Sequence, residues 1–256
     1  MKEAIYSVVD FFTSRSGLKK KINNYDVQLP ARYINYFPSD YEAKNFNFLQ
    51  EETKQGDTIL DIGAHIGLFA VIAAKLVSPN GKVYAFEPTP KTNDILHKTI
   101  AINHLDKIIE PRNEAMGKSP GKTTFYISDN IGDNGNSLVS YKKDRKLNGI
   151  EVTILTVDDF VKQQNLQRVD FIKIDVEGAE LDTLLGAIET FENLRPACIL
   201  AIHPEPIATK GDSMKDIYNL VKSLDYHIYD DDKNEISLDE FCSHNTFIDL
   251  HLLPKD

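Results

Sequence analysis

The sequence predicts an α/β fold, a mostly parallel sheet with helices on both faces, and three observations lead there. Short runs rich in Ile, Val and Phe (TILDI, KVYAFE, DFIKID and CILAIH) read as strands buried on both faces. Amphipathic stretches at 66–77, 91–103, 156–164 and 178–191 lie between them, and such strand–helix alternation marks a parallel sheet. The last 45 residues change character: a helix over SMKDIYNLVKSL precedes two alternating runs, YHIYD and FIDLHLL, which suit an antiparallel pair at the sheet edge.

At 256 residues the chain supports one core with additions. Residues 56–256 carry the alternating pattern, whereas 1–55 are aromatic, broken by Pro30 and Pro38, and read as a helical, aromatic cap that includes Tyr33, Tyr36 and Phe37. Ile5, Val8, Val9 and Phe12 recur at helical spacing, and their apolar face predicts packing on the domain or a homodimer. Glu3 and Asp10 make that helix a poor signal peptide, and IGLFAVIAA has about half the length a membrane helix needs. A cytoplasmic chain without a transmembrane segment is expected.

A formal net charge of -10 argues against a nucleic-acid partner, because phosphates need Lys and Arg. Cys198 and Cys242 form no CxxC pair, so no disulfide framework or zinc site is indicated. DDDKNEISLDEF has Asp230, Asp232 and Asn234 at calcium-loop spacing, but Glu235 and Phe241 stand where such a loop needs Gly and Glu. It reads as a solvated turn.

Chemistry concentrates after the first strand, in LDIGAHIG. Gly63 and Gly67 fall where backbone can approach a ligand without a Cβ, near a helix N-terminus. The loop lacks the middle glycine of GxGxxG, which disfavours an NAD-dependent oxidoreductase. Asp61 at the strand end suits an ammonium, and Glu87, 26 positions on, suits two ribose hydroxyls. A nucleoside with an amino-acid tail, S-adenosylmethionine, satisfies both.

DIGAHIG, then AFEP, then DFIKIDVEGAELDTLLGA resemble the FkbM-type family of S-adenosylmethionine-dependent methyltransferases over roughly residues 56–204. The resemblance implies a Rossmann-like class I fold, a seven-stranded sheet with an antiparallel last strand. It implies that Ala64, His65 and Pro88 join Asp61, Gly63, Gly67 and Glu87 around the donor. A third strand through IIEPRNEAMG would bring Asn113, Glu114 and Ala115 to the adenine, and NGNSL, with Asn136 and Ser137, resembles a family element or is a simple turn. The acceptor it implies is a hydroxyl on a sugar, glycolipid or secondary metabolite.

DFIKIDVEGAE and CILAIHPEP supply the candidate catalytic groups. Asp175 ends a strand expected beside that of Asp61 and should also face the donor, Glu177 and Glu180 open the next helix, and His203 ends the following strand. First-turn acids are favoured by the helix dipole alone, and a lone strand-end histidine is commonly structural. Adjacent parallel strands would nevertheless bring Asp175 and His203 together as base and orienting carboxylate, with either as the base. With Glu205 these groups also offer oxygen and imidazole ligands for a magnesium ion that would orient and acidify the hydroxyl, a competing version that the sequence leaves open, and no metal ligand is assigned. A non-catalytic module that only binds the donor is the reading of a different class.

Overall fold

The computed structural model describes residues 16–128 and 147–255. The expected N-terminal helix around Ile5 to Phe12 and the NGNSL segment lie outside the described residues. The chain opens with β1 (Leu18–Ile22), β2 (Tyr25–Leu29), a 3-10 turn (Ala31–Tyr33) and α1 (Ala43–Glu52). Alternation begins at β3 (Thr58–Ile62), α2 (Leu68–Val77), β4 (Lys82–Phe86), α3 (Pro90–Ile102) and β5 (Ile109–Arg112). Three strands follow, β6 (Glu114–Met116), β7 (Gly121–Ser128) and β8 (Leu147–Leu155), and then α4 (Val157–Gln163) and β9 (Phe171–Ile174). The remainder is α5 (Glu180–Leu185), α6 (Ile188–Leu194), β10 (Ala197–Ile202), α7 (Pro204–Lys210), α8 (Met214–Ser223), β11 (Tyr226–Tyr229), α9 (Leu238–Ser243) and β12 (Ile248–Pro254).

Seven strands form the central sheet in the order β5-β4-β3-β9-β10-β12-β11. All run parallel except β12, which slots antiparallel between β10 and β11. Strand alternation divides the core in two. Ile59, Val83, Phe171 and Ile199 face one cluster with α1, α2 and α3, whereas Leu60, Tyr84, Ile172 and Leu200 face a second with α4 to α6 and α8. Asp61 and Lys173 are register partners on β3 and β9, two residues along from Ile59 and Phe171, and so share the first face.

The N-terminal segment closes that face. Ile22, Val27, Leu29, Phe46, Phe48 and Leu49 belong to the same cluster as α2, which explains why LFAVIAAKLV is apolar almost all round. Residues 18–29 form an antiparallel hairpin that sequence patterning did not mark, since LKKKI has charges where a half-buried strand needs few.

Three further departures have local causes. The 178–191 helical pattern is broken at Gly186, where a Cβ would lie 2.1 Å from the Gly117 carbonyl oxygen, so α5 and α6 replace one helix. IIEPRNEAMG is interrupted at Asn113: β5 stays in the large sheet, and β6 leaves it to pair with β8 in a three-stranded sheet ordered β6-β8-β7. The segment read as a solvated turn contains α9, capped by the Ser237 side chain, which accepts from the Glu240 N–H.

Candidate functional site

A cavity of about 470 Å³ opens at the carboxyl ends of the parallel strands, where open α/β sheets bind ligands. One wall is the β3–α2 turn, with Gly63, Ala64 and His65; another is Glu87 and Pro88 after β4 with Glu114 and Ala115 of β6. Lys173, Asp175, Glu177 and His203 line the β9–β10 side. Phe37, Tyr41, Glu42 and Phe46 come from the N-terminal segment, and Phe247 from just before β12. Asp61, Gly67, Asn113 and Glu180 stand behind this lining.

The glycines of the turn answer first to the protein. A Cβ on Gly63 would lie 1.8 Å from the Asp175 carbonyl oxygen, and one on Gly67 would lie 2.5 Å from Cδ1 of Leu96. Both have φ near +90°, a region hostile to other residues. Close approach to a ligand was the sequence-based reason for them; the atoms that actually require their bareness are the neighbouring strand end and α3.

Glu87 is 7% exposed and fixed at both oxygens, Oε1 accepting from the Thr89 N–H at 2.8 Å and Oε2 from the His65 N–H at 3.1 Å. Burial pushes its carboxyl up to about 7. Asn113 supports it from behind, its side-chain amide donating to the Glu87 carbonyl at 2.8 Å. Glu114 forms a fork with Arg112, at 2.9 and 3.2 Å. His65 has a left-handed backbone (φ 50°), its ring lies near those of Tyr33 and Tyr36, and burial pulls its imidazole down to about 4.

Asp61 is fully buried, and neither carboxylate oxygen has a hydrogen-bond partner. Burial pushes it up to about 7 against the opposing pull of Lys173. Its side chain lies on the α2 face of the sheet and not on the cavity wall.

His203 and Asp175 do meet, Nε2 to Oδ1 at 3.7 Å, too long for a hydrogen bond. The hydrogen bond to the imidazole comes from a different acid. Glu180 Oε1 sits 2.8 Å from His203 Nδ1, is fully buried, and also accepts from the Gly178 N–H at 3.1 Å. These carboxylates hold the His203 imidazole above its ordinary value despite burial. Asp175 instead accepts from Lys173 Nζ at 3.0 Å, and Lys173 with His203 keeps its carboxyl low although burial opposes it.

Lys173 was missed by sequence reasoning: one charged residue in FIKI passes for a strand-end side chain reaching solvent, yet it is 6% exposed. Glu177 lines the cavity in a left-handed conformation (φ 42°). Among the described residues, no three His, Cys, Asp or Glu side chains converge as metal ligands, and no helix is long and apolar enough to cross a membrane.

The strand order, the antiparallel insertion and a cavity over the first glycine turn define a Rossmann-like fold of the class I methyltransferase type. The chain belongs to the FkbM methyltransferase family: the Methyltransferase FkbM domain matches residues 61–228. The hexuronic acid methyltransferase AglP of Haloferax volcanii is 29% identical over 162 residues, 63% of this chain and 62% of that protein. The 2-O-methyltransferase NoeI of Sinorhizobium fredii is 28% identical over 154 residues, 56% of this chain and 62% of that one. The chain spans about three-fifths of the length of these relatives. A crystal structure of methyltransferase FkbM from Methylobacillus flagellatus KT superposes with a TM-score of 0.51 at 16% identity, over 78% of this chain and 44% of that chain, a likeness of fold.

Proposed function

We propose that the protein is an S-adenosylmethionine-dependent O-methyltransferase acting on a hydroxyl of a small-molecule or glycan acceptor. The observation that carries this reading is one cavity with a fixed, buried carboxylate at one wall, Glu87, and a carboxylate-oriented imidazole at another, His203. The residues suit the donor. Glu87 directs oxygens already anchored by two backbone N–H groups toward a ribose diol, Ala115 and Met116 offer an apolar wall for a base, and the volume lies within the roughly 300–1,000 Å³ of small-molecule sites. When bound, S-adenosylmethionine supplies a methyl group activated by its sulfonium.

The protein's share is alignment and proton removal. With Nδ1–H donated to Glu180, His203 presents the Nε2 lone pair beside Asp175. An acceptor hydroxyl beside Nε2 would donate its one hydrogen to that lone pair, while Asp175 Oδ1, 3.7 Å from Nε2, favours the imidazolium that forms. Methyl transfer to that oxygen would release the hydroxyl proton, and His203 Nε2 is the group placed to take it. Phe247, 53% exposed with its ring centroid 5.0 Å from that of His203, offers an apolar surface where an acceptor would rest. The hydroxyl acceptor class also draws on the likeness to the 2-O-methyltransferase NoeI, and the glycan class on that to the hexuronic acid methyltransferase AglP.

Calorimetric titration with S-adenosylmethionine, S-adenosylhomocysteine and NAD in parallel, followed by an acceptor screen read by S-adenosylhomocysteine release, tests the proposal. Binding of the first two and turnover of an alcohol are expected. Binding of NAD alone overturns it, and donor binding with no turnover on any hydroxyl compound points to a module that only holds the donor.

A further inference from the structure

Lys173 is the one ammonium among the described cavity-lining residues, and its surroundings are unusual for a lysine. It is 6% exposed. Its Nζ is 3.0 Å from Asp175 Oδ2, 3.9 Å from Glu42 Oε2 and 5.2 Å from the centroid of the Phe69 ring. Lys173, Asp175 and Glu42 all line the cavity beside Gly63, Ala64 and His65, the turn over which a strand-end ligand lies. Asp61, the acid that the sequence marks for an ammonium, is Lys173's register partner but stands off the cavity wall. The charges that reach the cavity here are one ammonium between two carboxylates.

We infer that this triad is the seat of the donor's amino-acid tail, Lys173 binding the α-carboxylate and Asp175 with Glu42 binding the α-ammonium. The inference rests on the donor reading above. An ammonium has three donors, and one goes to Asp175 at hydrogen-bond distance while Glu42 stands farther off, so Lys173 has donor capacity toward the cavity. A carboxylate offers four lone-pair sites, so Asp175 can hold Lys173 with one oxygen and accept from the ligand with the other. The charges match as well. One lysine and two acids sum to a single negative charge, and the methionine tail with its sulfonium sums to a single positive one, so neither partner is left uncompensated in a buried place.

Glu42 gives the assignment a structural consequence. It precedes α1 with a left-handed backbone (φ 43°) and lies outside the part of the chain that matches the family domain, residues 61–228. Donor binding then draws on the N-terminal segment.

The test compares two probes by calorimetry, S-adenosylhomocysteine and 5′-methylthioadenosine, the second having the nucleoside without the amino-acid tail. The wild-type protein should bind both, the first more tightly. Lys173→Met should weaken S-adenosylhomocysteine about tenfold or more while 5′-methylthioadenosine stays within about twofold. Because removing a buried lysine between acids can unfold the chain, Lys173→Met/Glu42→Gln, which removes one charge of each sign, is the second variant, with the same expected split. A third measurement needs no variant: S-adenosylhomocysteine lacking its α-carboxylate should bind the wild type at least about tenfold more weakly than the intact compound. Equal binding of those two compounds, or equal losses of both nucleosides in a folded variant, overturns the inference. A wild-type protein that binds none of these nucleosides overturns the donor reading itself.

Discussion

His203 Nδ1 lies 2.8 Å from Glu180 Oε1, on a carboxylate fully shielded from solvent. The pairing fixes the tautomer, because a carboxylate in that position accepts a hydrogen bond from Nδ1–H and leaves the lone pair on Nε2, toward the cavity. Glu180 is therefore a positioning residue acting through His203. Its other oxygen lacks a partner, so the acid's contacts are to the imidazole and the Gly178 N–H.

His203 should accordingly titrate above 6.5, since Glu180 and Asp175 favour its charged form more than burial disfavours it. A base must be neutral, so turnover should rise with pH through that elevated value. Stability linked to the same group runs the other way: it is full below 6.5 and lost as pH rises through the folded value. Glu180→Gln should move the titration down and reduce kcat about 10- to 100-fold with donor affinity unchanged. Histidine NMR of the free protein and a pH–rate profile check both; an unmoved His203 titration counts against the pairing.

Glu87 yields a prediction on donor binding alone. Its carboxyl is pushed up to about 7 by burial, and the ionised form is the better acceptor for a ribose diol. S-adenosylhomocysteine should therefore bind up to about tenfold more tightly at pH 8 than at pH 6, with proton release on binding at pH 6. Glu87→Gln should flatten that dependence and weaken S-adenosylhomocysteine and 5′-methylthioadenosine alike, a pattern distinct from that of Lys173. Titrations in buffers of differing ionisation enthalpy read the proton count.

The two glycines of the β3–α2 turn should not be equivalent. A Cβ at Gly63 meets backbone, the Asp175 carbonyl, at 1.8 Å, whereas one at Gly67 meets the terminal methyl of Leu96 at 2.5 Å. Side-chain ends can move and strand ends cannot without opening the sheet. Gly63→Ala should cost more than about 4 kcal/mol or prevent folding, and Gly67→Ala about 1–3 kcal/mol from its left-handed backbone and local repacking. Urea unfolding of both variants decides; equal costs would show that strain, not collision, governs the turn.

Sequence patterning reached the parts of this fold where physical demands are uniform. TILDI, KVYAF, FIKI and CILAI are apolar because both faces of a central strand are covered, so the runs identify themselves. The pairing of β7 with β8 was invisible, because Phe125 and Val152 join only Ala115 in a small buried cluster apart from the main core, and Lys122, Thr123, Thr124, Glu151 and Thr153 interrupt the apolar pattern. In the site, Asp175 and His203 were placed on neighbouring strand ends by topology, and they stand there. The identity of the imidazole's partner depended on how the turn after β9 bends through Glu177 and Gly178, both at positive φ, to return Glu180 beneath His203. No periodicity encodes such a turn.

Asp61 offers the sharpest contrast between what a motif suggests and what burial imposes. It is fully enclosed, both oxygens lack partners, and its carboxyl is pushed from 3.8 to about 7. A folded value raised above the unfolded one stabilises the protein below about pH 4 relative to higher pH, and that contribution is lost as pH rises through about 7. The full difference approaches about 4 kcal/mol. Asp61→Asn cannot ionise, so its stability relative to wild type should grow by roughly 2–3 kcal/mol between pH 5 and pH 8. Any fixed cost of the amide cancels in that comparison. Because the side chain stands off the cavity wall, S-adenosylhomocysteine affinity should stay within about twofold, set against the loss expected at Lys173. Urea unfolding at the two pH values, with calorimetry on the same samples, separates the outcomes. A stability difference flat with pH together with weakened binding would mean that Asp61 is ionised and meets the ligand's ammonium after all.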